Sequence, residues 1–185
     1  MTIEINRHGR VSNRGLPICR RGSVAARTTR EALRACRDSL VGDGRFRAHV
    51  AIPTQAPFPA RGRVLAFNSR RKGRPAILAH VFGRDPVPTS SVMTLRIRRG
   101  DGAFGTALTM TLPNVGDDWG RVTGFSLNLH RRYSYRGRAH SLIEASCPAP
   151  KGFDGAVYKA AKGTYRLADG RTITRILTGS CRVSG

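Results

Sequence analysis

From Gly42 to the C-terminus the sequence alternates apolar and polar residues in short runs, each closed by glycine, proline or an Asp-Gly pair. An alternation of period two puts one set of side chains on each face of a strand, and a helix would scatter that set around its axis. Val92–Arg98 sets Leu95 and Ile97 against Arg96 and Arg98, and in Phe104–Leu112 the residues Leu108, Met110 and Leu112 alternate with threonines. Arg121–Tyr135 is the longest run and holds Phe125, Leu127, Leu129, Tyr133 and Tyr135 in phase. Ala76–Phe82 is continuously apolar, as a central strand would be. Thr2–Asn6, Arg45–Ile52, Arg63–Phe67, Ala139–Cys147, Ala156–Ala168 and Arg171–Leu177 complete the strand candidates. Arg99-Gly100-Asp101-Gly102, Arg136-Gly137 and Asp169-Gly170 are hairpin turns by composition. The expectation is a mainly β fold, an antiparallel β-sandwich of about nine short strands.

One segment breaks the pattern. Thr28-Thr29-Arg30-Glu31 is a capping box, and Leu33, Cys36, Leu40 and Val41 then recur at helical spacing, with Gly42 placed to end the helix. This predicts one short N-terminal helix over about residues 29–41, with Cys36 on its buried face. The 185 residues suffice for a single domain, and the 21 glycines and 10 prolines stand singly, as turns between strands require. The expected organisation is one domain over 1–185. In it, the strand, loop and helix of 1–42 precede an antiparallel β core over 43–185.

Cys19, Cys36, Cys147 and Cys181 form two local pairs. Four cysteines allow three connectivities, which sequence does not separate formally. Local pairing is the expectation because each pair brackets a compact unit. Each bridge would then contribute roughly 3–4 kcal/mol by the chain-entropy argument. Zinc would need ligands at Cys-x-x-Cys spacing, which is absent, and His8, His49, His80, His130 and His140 are scattered. No metal site or other cofactor is expected. Structural disulfides imply an extracytoplasmic location, whereas free thiols would imply a cytoplasmic one. No apolar stretch approaches a membrane span. The opening Met-Thr-Ile-Glu-Ile-Asn has no signal-peptide character.

The formal charge is +22, from 33 basic and 11 acidic residues, and only four of the basic residues are lysines. Such a field attracts polyanions of any kind, although codon usage in a GC-rich genome also enriches arginine. The candidate polyanion-binding residues are Arg70, Arg71, Lys72, Arg74, Arg96, Arg98, Arg131, Arg132, Arg136 and Arg138. Lys72-Gly73-Arg74-Pro75 has the composition of a minor-groove hook, but between two apolar strand candidates it reads as a charged hairpin turn. Aromatic platforms for bases are thin, since Tyr133, Tyr135, Phe104 and Phe125 share strands with core-like neighbours.

Catalysis requires acids with no other task. Asp43, Asp101, Asp154 and Asp169 precede glycine, Asp85 precedes proline, Glu31 belongs to the capping box and Asp38 to the helix surface. Glu4, Asp117, Asp118 and Glu144 remain, and they offer no persuasive glycosidase pair. Asp117-Asp118 would suit calcium only as an isolated loop pair. Nucleophile elbows, zinc-protease helices and phosphate-cradling glycine loops are absent from the sequence.

The segments Ile3–Arg10, Gly15–Cys19, Ala32–Gly44, Leu65–Asn68, Pro75–Val81, Tyr135–Gly137, Cys147–Phe153 and Asp169–Cys181 carry a resemblance. Together they are similar to a family of exported β-rich proteins of high-GC Gram-positive bacteria to which no activity is assigned. The resemblance implies export, disulfides and a β-rich fold, and it transfers no catalytic or binding residue. Members are longer at the N-terminus, so the chain is expected to be the C-terminal part of an exported precursor. The leading functional expectation is a non-enzymatic cell-surface module that associates with anionic wall polymers or surface proteins. An intracellular basic nucleic-acid-binding protein is the alternative, and a hydrolase with an unrecognised site is the third reading.

Overall fold

A computed structural model describes the chain except residues 52, 54, 55, 85–87, 113–119, 168, 184 and 185. The protein is mainly β and antiparallel with few helices, as the alternation requires. The strands form an antiparallel sheet of nine and two short two-stranded ribbons. The chain divides into two compact units.

Unit 1 comprises Met1–Ser12, Arg96–Met110 and Ile143–Gly185. It contains β1 (Thr2–Asn6), β2 (Gly9–Val11), β7 (Phe104–Thr109), β11 (Ile143–Ala145), β12 (Gly155–Arg166) and β13 (Thr172–Arg182). β1 lies between β7 and β12, with Ile3 opposite Leu108 on one side and Gly163 on the other. Among the described residues its buried apolar side chains are Phe104, Ala107, Leu108 and Met110, a small core for its length. A covalent tie supplements it: Cys147 is bonded to Cys181, across 5.6 Å between Cα atoms. Lys162 Nζ lies 2.6 Å from Glu4 Oε2 and 5.1 Å from the centre of the Phe104 ring.

Unit 2 comprises Asn13–Leu95 and Thr111–Leu142. Its strands are β3 (Leu40–Val50), β4 (Phe58–Arg71), β5 (Arg74–Gly83), β8 (Gly120–Leu129), β9 (Arg132–Tyr135) and β10 (Arg138–Ser141). β6 (Thr89–Arg99) gives its first seven residues to unit 2 and its remainder to unit 1. The single turn α1 (Arg21–Val24) and the helix α2 (Thr29–Cys36) cover part of one sheet face. Val24, Ala32, Cys36 and Cys19 pack there on Leu65, Phe67, Leu78 and Val92, and Cys19 is bonded to Cys36. Val64–Phe67 and Ala76–Ala79 are buried on both faces, which accounts for their continuous apolarity.

Three details differ from expectation. The helix ends at Cys36, whose φ of −136° leaves the helical region, and a 3-10 turn at Arg37–Ser39 leads into β3 at Leu40. Gly42 therefore caps no helix. It lies within β3, where an added Cβ would overlap the Asn128 carbonyl oxygen of β8. The Arg121–Tyr135 run is broken after Leu129, because His130 N–H turns to the Val41 carbonyl and Arg131 accepts from Leu142 N–H. The expected turn at Lys72-Gly73 is present, with both residues at positive φ (49° and 74°), and Arg136-Gly137 repeats it (52° and 73°). These are the conformations a tight two-residue hairpin demands.

Candidate anion-binding cleft

Directly opposed residues of antiparallel strands project from the same face. Across unit 2, Arg45 of β3 is opposite Ser126 of β8 and Arg63 of β4, and Arg63 is opposite Phe82 of β5. Two positions further along β3, Arg47 is opposite Gly124 and Arg61. Four arginines thus occupy one exposed patch, in two pairs whose Cβ atoms are set about 5 Å apart by the ladder. Two positions in the other direction the same face carries Asp43, Leu65 and His80, and there α2 packs on Leu65.

The first turn of α2 stands beside the place where the arginines begin. A cleft of about 1300 Å³ results, walled by Thr28, Thr29 and Arg30 at the start of α2 and floored by Arg45, Arg61, Arg63, Phe82 and Ser126, with Arg84 just beyond β5. Glu31 is turned back into the capping box: the Thr28 backbone N–H donates to its Oε2 at 2.8 Å. That bond, followed by one from the Thr28 hydroxyl, holds the Glu31 carboxyl below its ordinary range. Asp43 is the one carboxylate among the described lining residues, and it lies 3.9 Å from His130 Nδ1. Among the described residues no carboxylate approaches Arg30, Arg45, Arg61, Arg63 or Arg84 within ion-pair distance. Opposed like charges oppose strand pairing, so the arrangement carries a cost that an anion in the cleft would remove.

A second recess of about 550 Å³ is lined by Arg20, Arg21, Arg70 and Arg71 beside Cys19. It brings together two of the arginines singled out by sequence. Lys72 and Arg74 extend from the same β4–β5 hairpin tip. Arg132, Arg136 and Arg138 lie on the β9–β10 ribbon, where the Arg136 guanidinium stands 5.4 Å above the Tyr135 ring, and Arg131 just precedes it with a buried Nε. Arg96 and Arg98 belong to unit 1, opposite Thr109 and Ala107. The ten candidates therefore occupy three places. None of the four arginines of this patch is among the ten candidates, although Arg45-Phe46-Arg47 and Arg61-Gly62-Arg63 each carry the period-two signature. What joins them is the β3–β4 register.

The acids are engaged as follows. Glu4 pairs with Lys162, Arg10 Nη2 lies 2.6 Å from Glu144 Oε2, and Asp169 pairs with Arg171 across its turn. Asp85, Asp117 and Asp118 lie outside the described residues. Among the described residues no three His, Cys, Asp or Glu side chains are grouped as metal ligands, and no helix is long and apolar enough to cross a membrane. Tyr133 and His140 stack at 5.6 Å between ring centres on the β9–β10 ribbon. Comparison with protein-family models, with curated proteins and with solved structures returns no match.

Proposed function

We propose that the protein is a non-enzymatic extracytoplasmic module that holds an anionic polymer through its arginines, with the unit 2 cleft as the anchoring place. The observation that carries the reading is the pair of arginine oppositions, Arg45 with Arg63 and Arg47 with Arg61, lacking a carboxylate partner among the described residues. Guanidinium groups bind phosphate and carboxylate oxygens in bidentate fashion, and two that face one another invite a shared anion. The recess at Arg70 and Arg71 and the arginines of the β9–β10 ribbon add long-range attraction.

The two disulfides, which engage all four cysteines, support the extracytoplasmic half of this reading. Export also agrees with the family resemblance. Thiol titration of denatured protein from its native host tests this half, since four free thiols would remove it. Binding to a soluble anionic wall polymer, followed across a salt series, tests the other half. Affinity should fall steeply with salt. Tighter binding to DNA of matched charge would instead favour the intracellular reading.

A further inference from the structure

We infer that the cleft, together with the exposed patch that continues it to Arg47, takes a linear phosphodiester polymer of the polyol-phosphate type, seating successive phosphates on the Arg45–Arg63 and Arg47–Arg61 pairs. The inference rests on the polyanion reading above and specifies its ligand. Both pairs are fixed by register, since Arg45 and Arg47 of β3 oppose Arg63 and Arg61 of β4 in consecutive rows of the same face. Positions two apart on a strand are about 6.8 Å apart. A peptide advances about 3.3–3.6 Å for each three backbone bonds, so an extended chain of six single bonds covers about the same 7 Å. Six bonds separate neighbouring phosphorus atoms in a three-carbon polyol phosphate. Each phosphodiester carries one negative charge and two free oxygens, which two facing guanidiniums satisfy together. A polyuronate inserts sugar rings between its carboxylates, so its charge repeat follows ring geometry instead.

Nucleic acid shares the six-bond repeat, and the lining distinguishes the two. Single-stranded nucleic acid is held by stacking its bases on aromatic side chains. Phe82 is the one aromatic among the described lining residues, and it is half-buried. A polymer without bases loses nothing there. Arg30 and Arg84 extend the basic lining beyond the two pairs.

The test uses end-labelled oligo(glycerol phosphate) of increasing length, with fluorescence anisotropy at several salt concentrations. Affinity should rise steeply from one phosphate to several. The quadruple variant Arg45→Gln, Arg47→Gln, Arg61→Gln, Arg63→Gln should lose at least about tenfold, and its log-affinity against log-salt slope should fall by about one to two. A control quadruple with equal charge loss on β12 and β13 (Lys159→Gln, Arg166→Gln, Arg175→Gln, Arg182→Gln) should lose little. Thermal unfolding of both variants separates lost contacts from lost fold, and the cleft variant should melt no lower than the wild type. Equal losses in the two quadruples would overturn the cleft assignment while leaving a diffuse polyanion binder. Equal or tighter binding of single-stranded DNA, or of a polyuronate of matched charge, would overturn the polymer class. Failure of the wild-type protein to bind any of the three would remove the underlying polyanion reading as well.

Discussion

His80 is wholly enclosed in unit 2. Its Nε2–H donates to the Arg27 carbonyl at 2.8 Å, Ser90 Oγ lies 3.3 Å from the same nitrogen, and Nδ1 is buried without a partner among the described residues. Burial holds the imidazole below the ordinary histidine value of 6.5, and the bond to Arg27 opposes it only in part. The unfolded chain then binds a proton that the folded one refuses. Stability from this group is complete above about pH 6.5 and is lost progressively as pH falls below that value toward the lowered one. Urea midpoints should therefore drop between neutral and mildly acidic pH, and His80→Leu should shrink the drop. An unchanged drop would assign it to other histidines. The Glu31 carboxyl is also held below its ordinary range, by its bonds to Thr28. Its lowered carboxyl contributes above the ordinary carboxylate range, and the contribution is lost as pH falls through the lowered value. Thr28→Ala removes the hydroxyl that accepts from Glu31 N–H and donates to Glu31 Oε2, leaving only the backbone N–H bond, and should cost about 1 kcal/mol, read from denaturant unfolding.

Within single elements, β3 makes two opposing demands. Gly44 lets it approach β8 closely, because an added Cβ would overlap the Ser126 carbonyl oxygen. Gly44→Ala should therefore destabilise by about 3 kcal/mol or more. Gly124→Ala, across the same ladder, should be tolerated, since its Cβ would meet only the Arg47 side chain at 3.6–3.8 Å. Arg45 lies one residue beyond Gly44 and faces another arginine. Arg45→Glu should raise stability by about 0.2–1 kcal/mol by pairing with Arg63, while weakening polymer binding. Stability gained together with binding retained would speak against the cleft.

These elements also show what the sequence made legible. The capping box, the two tight turns and the local cysteine pairs follow from chemistry within a few residues, or within one loop, and each is present as read. The cleft depends on which residue of β3 faces which residue of β4. That register is set by packing farther along both strands, so nothing local at Arg45 or Arg63 announces it. The helix ends before the sequence period does, because Leu40 and Val41 continue the helical spacing by coincidence while the backbone has already turned at Cys36.

Over the whole molecule, a formal charge of +22 is a source of self-repulsion. Added salt screens it, so raising sodium chloride from about 0.05 to about 0.5 M should raise the thermal midpoint while it weakens polymer binding. Unit 1 is expected to depend more on its disulfide than unit 2 does, given its four buried apolar side chains among the described residues. Cys147→Ser with Cys181→Ser should expose β12 and β13 to limited proteolysis at a temperature where Asn13–Leu95 stays intact. The division of the chain has one more consequence, in time. Unit 2's main strands β3, β4 and β5 follow one another directly, so they and the Cys19–Cys36 bridge can form while the rest of the polypeptide is still emerging. Unit 1 closes β1 against β12, which follows it only after all the strands of unit 2. It must wait until β12 and β13 have emerged, and the Cys147 and Cys181 thiols should oxidise after Cys19 and Cys36.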